Sequence, residues 1–176
     1  ANTDDGTCYK VGCMSDWADN FDPFATSEED VAIAYNIDQV DNISSCNAIL
    51  YDSGGPEGYY TDSENQQVTI YPGNPDAFVT LYFSEFQFEG CCDYLTVYDG
   101  ESTSSPILVP GSNGTSLLGQ TYSASSSNES GALTITFTSD GSVVYPGWAA
   151  EIGCTTLDSL QDTNSSESSE LCYRYG

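Results

Sequence analysis

The stretch FQFEGCCDYLTVYDG, residues 86–100, combines a strand pattern with a group of acidic and cysteine residues. Within it, apolar and polar side chains alternate along Leu95–Tyr98, which predicts a strand with one buried face, and Asp99-Gly100 predicts the turn that follows. The same period of two recurs in residues 79–83 and 133–138, and turn signals rich in Gly and Pro separate these runs. The pattern predicts an all-β protein built as an antiparallel β-sandwich.

The charge of the chain is strongly one-sided. Its 176 residues suffice for one well-buried domain with smaller attachments, and 27 Asp and Glu against 2 Lys and Arg give a formal net charge of -25. Lys10 and Arg174 are the only basic side chains, so the chain lacks the basic cluster that nucleic acids and anionic membranes require. We therefore expect no nucleic acid partner and no direct membrane insertion, and a preference for cations or basic partners, with solubility alone as the other interpretation.

The chain contains no histidine. This excludes Ser/His/Asp and Cys/His catalysis and every His-ligated zinc or copper site. A glycosidase that uses a pair of carboxylates is the enzymatic alternative that remains, because Asp and Glu alone can perform that chemistry. No pocket motif accompanies the acids, so we expect a protein that is not an enzyme.

The cysteines are spaced for disulfides rather than for a metal. No pair of CxxC motifs occurs, which favours disulfide bonds formed in an oxidising compartment. Cys91 and Cys92 are adjacent and can bond to each other or separately, and we expect a structural role because no basic residue lies nearby to stabilise a thiolate. Seven is an odd number, so at least one cysteine is a free thiol or bonds another chain. The disulfide candidates are Cys8, Cys13, Cys46, Cys91, Cys92, Cys154 and Cys172.

Four N-glycosylation sequons point to the same compartment. We expect N-linked glycans and a secreted, extracellular protein. The chain begins at Ala1 with no Met and no apolar signal region, which we interpret as a mature product of a longer precursor. The candidate glycosylation sites are Asn42, Asn113, Asn128 and Asn164.

Three separated stretches resemble a CUB domain, in the order that this family has them. They are Tyr51–Pro56, Phe83–Gly100, which contains the stretch quoted above, and Ser139–Ala150. The resemblance covers residues 46–154 and implies a jelly-roll-like sandwich. It divides the chain into an acidic Cys-containing segment at 1–45, the sandwich at 46–154, and a tail rich in Ser and acids at 155–176 that contains Cys172.

The resemblance also implies a calcium site. In calcium-binding CUB domains, residues that correspond to Glu89, Asp93 and Asp140 share one ion, a backbone carbonyl near Ser142 joins them, and a Tyr supports the carboxylates. Here that Tyr is Tyr59 or Tyr60. Independently of the family, three carboxylates brought together from distant loops repel one another unless a cation lies between them, and Ca²⁺ takes such oxygen ligands. The alternative is that these acids are solvated turn residues.

The N-terminal segment has its own pattern. Residues 12–26 resemble a short acidic repeat of secreted microbial proteins that opens with Gly-Cys and closes with Asp-Gly-(Ser/Thr)-Cys, and Asp5–Cys8 matches the closing half of a preceding copy. The second copy lacks its closing Cys, which leaves Cys46 or Cys172 as a partner for Cys13. We therefore interpret the chain as a microbial-like CUB variant.

These observations favour a non-catalytic secreted module that mediates calcium-dependent binding or assembly. Its partners would be other extracellular proteins, glycans or further copies of itself in a fibre or matrix. The alternative is an accessory glycan- or protein-binding domain cleaved from a larger secreted protein. The candidate interface residues are Lys10, Trp17, Trp148 and Arg174, although Trp148 can instead close the core.

Overall fold

The computed structural model describes residues 32–157. Several predicted features lie outside this range: the acidic repeat, the disulfide candidates Cys8, Cys13 and Cys172, the sequon at Asn164, and the interface candidates Lys10, Trp17 and Arg174. Among the described residues, no helix has the length and apolar character needed to cross a bilayer.

Within residues 32–157, ten strands form two five-stranded sheets. The first sheet has the order β1-β3-β10-β5-β8 and the second the order β2-β4-β9-β6-β7. A short 3-10 helix, Gly55–Glu57, follows β3. The strands are β1 (Ile33–Asn36), β2 (Asn42–Ser44), β3 (Ala48–Tyr51), β4 (Asn65–Tyr71), β5 (Ala77–Gln87), β6 (Tyr94–Tyr98), β7 (Ile107–Ser112), β8 (Thr121–Ser123), β9 (Leu133–Thr138) and β10 (Gly147–Thr156).

The core lies where the inner faces of the sheets meet. The apolar members of the alternating runs are fully buried, as Leu81 and Phe83 of β5 and Leu95 and Val97 of β6 show. The central strands β9 and β10, which have neighbours on both sides in their sheets, bury four of six and five of ten residues. This is the packing of an all-β sandwich, so the predicted fold class is confirmed.

Most strand pairs are antiparallel, but one edge of each sheet is parallel. β1 runs parallel to β3, and β2 runs parallel to β4. β1 and β2 both precede Cys46. The sheets therefore begin within residues 1–45, which the sequence assigned to a separate segment. At the other end β10 continues to Thr156, two residues beyond Cys154.

An aromatic cluster fills one end of the core. Tyr60 and Phe137 meet edge to face with ring centroids 5.2 Å apart, and Phe137 and Trp148 lie 6.3 Å apart. Trp148 is only 1% exposed. Its prediction as an interface residue was therefore wrong, because the indole packs against the aromatic rings of both sheets and closes the core.

A buried carboxyl group anchors the start of β10. Asp52 accepts hydrogen bonds from the backbone N–H of Trp148 at 2.7 Å and of Gly54 at 2.8 Å. Gly147 has φ of +90°, and a Cβ there would lie 1.9 Å from Asp52 Oδ2, so only glycine permits this approach. Burial, reinforced by the charge of Glu64, raises the pKa of Asp52 to about 6 although the two N–H groups oppose the shift.

Two disulfides lie within the described residues. One joins Cys46 to Cys154, and the other joins the adjacent Cys91 and Cys92. The first removes Cys46 as a partner for Cys13, which corrects one of the two pairings that the sequence left open. The second selects the vicinal bond from the two possibilities for the adjacent pair.

Candidate metal centre

The strand register brings two distant loops together at one end of the second sheet. β6 and β9 pair antiparallel with Tyr94 opposite Thr138. Asp93 comes directly before the start of β6, and Asp140 lies two residues beyond the end of β9. The two aspartates therefore meet because an antiparallel pair places the start of one strand beside the end of the other.

The three predicted carboxylates converge. A carboxylate oxygen from each of Glu89, Asp93 and Asp140 lies within 4.8 Å of those of the other two. Residues 32–157 contain no Lys, Arg or His, so the described part of the chain supplies no cationic side chain to balance these charges. The side chains that the sequence placed together from three separate positions do share one site.

Asp93 is the most rigidly held member of the site. It is only 1% exposed, and its Oδ2 accepts a hydrogen bond from the Tyr60 hydroxyl. Its Oδ1 accepts the backbone N–H of Asp140 at 2.9 Å. Both loops are therefore tied to one buried carboxylate.

Tyr60 and Tyr59 are clearly distinguished by their environments. The Tyr60 ring is buried, and its hydroxyl also accepts the backbone N–H of Glu89 at 3.4 Å. Burial, followed by the hydrogen bond to Asp93, raises the pKa of Tyr60, so the phenol stays protonated as a donor at neutral pH. Tyr59 is 59% exposed, so Tyr60 is the Tyr that contacts the carboxylates.

Glu89 has an oxygen without a protein partner. Its Oε2 is buried and accepts no hydrogen bond from the described residues. Burial, followed by the charges of Asp140 and Asp93, raises the pKa of Glu89. An oxygen that is buried, unpartnered and surrounded by like charge is suited to contact a cation.

One hydroxyl group that the sequence did not assign to the site joins the loops around it. Ser139 Oγ accepts the N–H of Glu64 at 2.9 Å and donates to the carbonyl of Thr61 at 2.7 Å. Ser142 donates its backbone N–H to Asp140 Oδ1 at 2.9 Å, which orients the carboxylate. A serine after a strand is too common to mark such a role in a sequence, so only the fold identifies Ser139.

The donor set fits Ca²⁺. This ion binds oxygen at about 2.3–2.6 Å, so two ligands of one ion lie up to about 5 Å apart. The spacing of the three carboxylates falls within that limit. Both sulfurs near Glu89 are bonded to each other, so a thiolate site for a softer metal is not available in this form.

The sequons differ in how free their asparagines are. Asn42 is exposed on the edge strand β2, and Asn113 is half-buried in the loop after β7. Asn128 uses its Nδ2 for two internal hydrogen bonds of 2.8 Å, to Asp99 Oδ1 and to the carbonyl of Ala132. A glycan on Asn128 would replace one of these donor hydrogens.

A known family of domains shares this architecture. The family model of the CUB domain matches residues 41–152. The chain belongs to the CUB domain family. CUB domains are generally binding modules without catalytic activity, found in extracellular proteins.

Solved structures share the fold at low sequence identity. The MASP-1 CUB2 domain bound to Ca²⁺ has 21% identity and a TM-score of 0.51, over 64% of this chain and 96% of that one. The CUB1-EGF-CUB2 domains of rat MASP-1 have 18% identity and a TM-score of 0.55, over 80% of this chain and 51% of that one.

A third solved structure is much longer. The full extracellular region of zebrafish Gpr126/Adgrg6 has 19% identity and a TM-score of 0.53, over 66% of this chain. The present CUB chain spans only 14% of the length of that protein. At these identities the likeness shows the shared sandwich.

Proposed function

We propose that this CUB domain is an extracellular binding module whose contact with its partner depends on Ca²⁺ held by Glu89, Asp93 and Asp140. The convergence of the three carboxylates within 4.8 Å is the observation that carries the proposal. A backbone carbonyl near Ser142 would complete the ligand set. The Ca²⁺-bound state of MASP-1 CUB2, which has the same fold, supports this choice of ion.

The chemistry of the site favours a basic partner. A bound Ca²⁺ would leave the three carboxylates with one residual negative charge, and the remainder of the described domain is also acidic. A Lys or Arg side chain of another extracellular protein would be attracted to this end of the sandwich. Lys10 or Arg174 of a second copy could serve in the same way, which is the route to a fibre or matrix.

A glycosidase is less well supported by this geometry. Inverting enzymes separate their two carboxyl groups by about 6.5–9.5 Å and retaining enzymes by about 5–5.5 Å. Here three carboxylates each place one oxygen within 4.8 Å of the other two, whereas glycosidase chemistry uses two carboxyl groups that flank a sugar. A shared cation explains this spacing directly.

Calcium titration of the purified protein by isothermal calorimetry tests the proposal. We expect the Glu89→Gln and Asp140→Asn variants each to weaken Ca²⁺ binding by at least about tenfold, because each removes one charged ligand without changing its shape. Asn at position 140 keeps an oxygen for the N–H of Ser142, so the loop is preserved.

Glu151→Gln is the matched control. Glu151 is exposed on β10, and its replacement removes one charge from the same domain outside the site. Calcium affinity that fell equally in all three variants would indicate a general charge effect. That result, or a wild-type protein that binds no Ca²⁺, would contradict the proposal.

A further inference from the structure

We propose that the Cys91–Cys92 disulfide sets the calcium affinity of the site, so that reduction of this bond weakens Ca²⁺ binding and bound Ca²⁺ protects the bond from reduction. This inference rests on the proposed calcium function. It is carried by the position of the disulfide in the chain between two of the ligands and by its distance from one of them.

The disulfide lies in a short loop that is held at both ends. Before the loop, Phe88 is buried and donates its N–H to the carbonyl of Gly114 at 2.8 Å. After the loop, Asp93 is buried and hydrogen-bonded to Tyr60 and to the backbone of Asp140. The residues between these two anchors are 89–92, and two of the four are the bonded cysteines.

Glu89 lies close to the disulfide and to the other two carboxylates. Its carboxylate lies within 4.8 Å of both cysteine sulfurs, and also within 4.8 Å of the carboxylates of Asp93 and Asp140. The disulfide therefore borders the one ligand whose position depends on this loop. The carboxylates of Asp93 and Asp140 accept hydrogen bonds, whereas Glu89 Oε2 accepts none from the described residues. A change in the loop therefore acts mainly through the Glu89 carboxylate.

The bond adds a covalent restriction to a loop that is otherwise held by two hydrogen bonds, from the Glu89 N–H to the Tyr60 hydroxyl and from the Tyr94 hydroxyl to the Cys91 carbonyl. A disulfide between adjacent residues closes a small ring around their peptide bond and removes torsional freedom from both. Next to it, Gly90 is exposed and has open space around its Cα. Once the ring is opened, this segment gains conformations and Glu89 can move away from two like charges, so ordering it around Ca²⁺ costs more conformational entropy.

A dithiol reductant can reach the bond. Cys91 is exposed and Cys92 is half-buried. A thiolate of the reductant attacks one cysteine sulfur, forms a mixed disulfide with it and releases the other cysteine. The second thiol of the reductant then attacks the reductant's own sulfur in the mixed disulfide and releases the first cysteine. Two electrons and two protons pass to the protein, which gains two thiols, while the reductant becomes a cyclic disulfide.

Thermodynamic linkage makes the effect reciprocal. If the oxidised form binds Ca²⁺ more tightly than the reduced form, Ca²⁺ stabilises the oxidised form by the same factor. We expect reduction to raise the calcium dissociation constant by about tenfold. Saturating Ca²⁺ should then lower the reduction potential of this pair by about 30 mV, since that shift corresponds to a tenfold change for a two-electron couple.

The test uses the full chain in oxidised form and after mild treatment with a dithiol. Peptide mapping after alkylation verifies that Cys91 and Cys92 are reduced while Cys46–Cys154 is intact, and calorimetry measures Ca²⁺ binding to each form. Redox titration with and without Ca²⁺ measures the potential. Weaker binding after reduction, together with the lower potential in Ca²⁺, is the expected result.

The double variant Cys91→Ser/Cys92→Ser supplies a control without a reductant. We expect it to bind Ca²⁺ as weakly as the reduced protein and to be insensitive to the dithiol, with circular dichroism verifying its fold. Equal Ca²⁺ affinity in the oxidised, reduced and double-variant proteins would overturn this inference and leave the calcium function standing. An oxidised protein that binds no Ca²⁺ would overturn both.

Discussion

Tyr60 joins the aromatic core to the acidic site through a single side chain. Its ring lies edge to face with Phe88 at 5.8 Å and with Phe137 at 5.2 Å. Its hydroxyl donates to Asp93 and accepts the N–H of Glu89. The position of two candidate ligands is thus coupled to the packing between the sheets.

Replacement of Tyr60 by Phe should separate these two roles. Tyr60→Phe keeps the ring and removes the hydroxyl, which leaves a buried oxygen of Asp93 without its donor. We expect calcium affinity to fall several-fold and the free energy of unfolding to fall by about 1–3 kcal/mol. Calorimetry and urea denaturation measure the two effects.

Tyr59→Phe is the matched comparison for that experiment. Tyr59 is exposed, so the loss of its hydroxyl should change neither calcium affinity nor stability. If both variants behaved alike, Tyr60 would not be the residue that positions the carboxylates.

The buried Asp52 makes stability depend on pH. Its pKa is about 6 in the folded protein against an ordinary value of 3.8. Between these values the folded state holds a proton that the unfolded chain has released, so stability falls as pH rises through this range. The contribution is fully present below pH 4 and lost above pH 6.

We therefore expect wild-type protein in calcium-free buffer to become more stable as pH falls from 7 towards 4, by up to about 3 kcal/mol from this group. Asp52→Asn should reduce that slope, because its side chain does not titrate. Urea denaturation at several pH values measures the slopes, and equal slopes would show that Asp52 is not responsible. Asn has one acceptor oxygen where Asp has two, so the variant also loses one of the two hydrogen bonds from backbone N–H groups and its stability changes at every pH. The slope of stability against pH is therefore the quantity to compare.

At the level of the strands, the Cys46–Cys154 disulfide continues the pairing of β3 with β10. Ala48 lies opposite Ile152 in this antiparallel pair. Two residues further out in the same register, Cys46 comes opposite Cys154, and the bond closes a separation of 108 residues. The disulfide therefore links β3 and β10 covalently at one end of their backbone pairing.

Removal of this bond should be costly, while removal of the vicinal bond should not. Cys46→Ser/Cys154→Ser should lower the free energy of unfolding by about 2–5 kcal/mol, because a long loop in the unfolded chain is released. Cys91→Ser/Cys92→Ser should leave global stability in calcium-free buffer nearly unchanged, since no chain lies between adjacent residues. Urea denaturation of both double variants measures the contrast, and similar losses would contradict it.

For the molecule as a whole, charge is the dominant property. A formal charge of -25 on 176 residues opposes compaction, so a bound divalent ion would help the fold. The negative charge that remains would attract basic partners. The same property limits contact between copies unless calcium or a basic side chain intervenes.

Assembly can be tested directly by light scattering of the native protein in millimolar calcium and again in excess EDTA. We expect a large species in calcium that returns to the monomer in EDTA. A large species that is indifferent to EDTA would instead indicate intermolecular disulfides or packing. A monomer in both conditions would contradict self-assembly and leave a module that binds a different protein or a glycan.

Local pattern was enough to predict the sandwich and its longer strands. The runs 79–83, 95–98 and 133–138 alternate so regularly that each predicts a strand with one apolar face. The edge strands β1 and β2 were not predicted, because three or four partly exposed residues carry too little periodicity. Their existence depends on the neighbours β3 and β4, to which they pair.

The candidate ligands Glu89, Asp93 and Asp140 could be named from the sequence because each lies in a recognisable loop pattern of the CUB domain. Their convergence, the choice of Tyr60 over Tyr59, the burial of Trp148 and the pairing of Cys46 with Cys154 required the tertiary structure. The physical reason is the same in each case. Periodicity along a chain records which side chains are apolar, whereas contacts between residues far apart in the chain depend on strand register and on which sheet each strand joins.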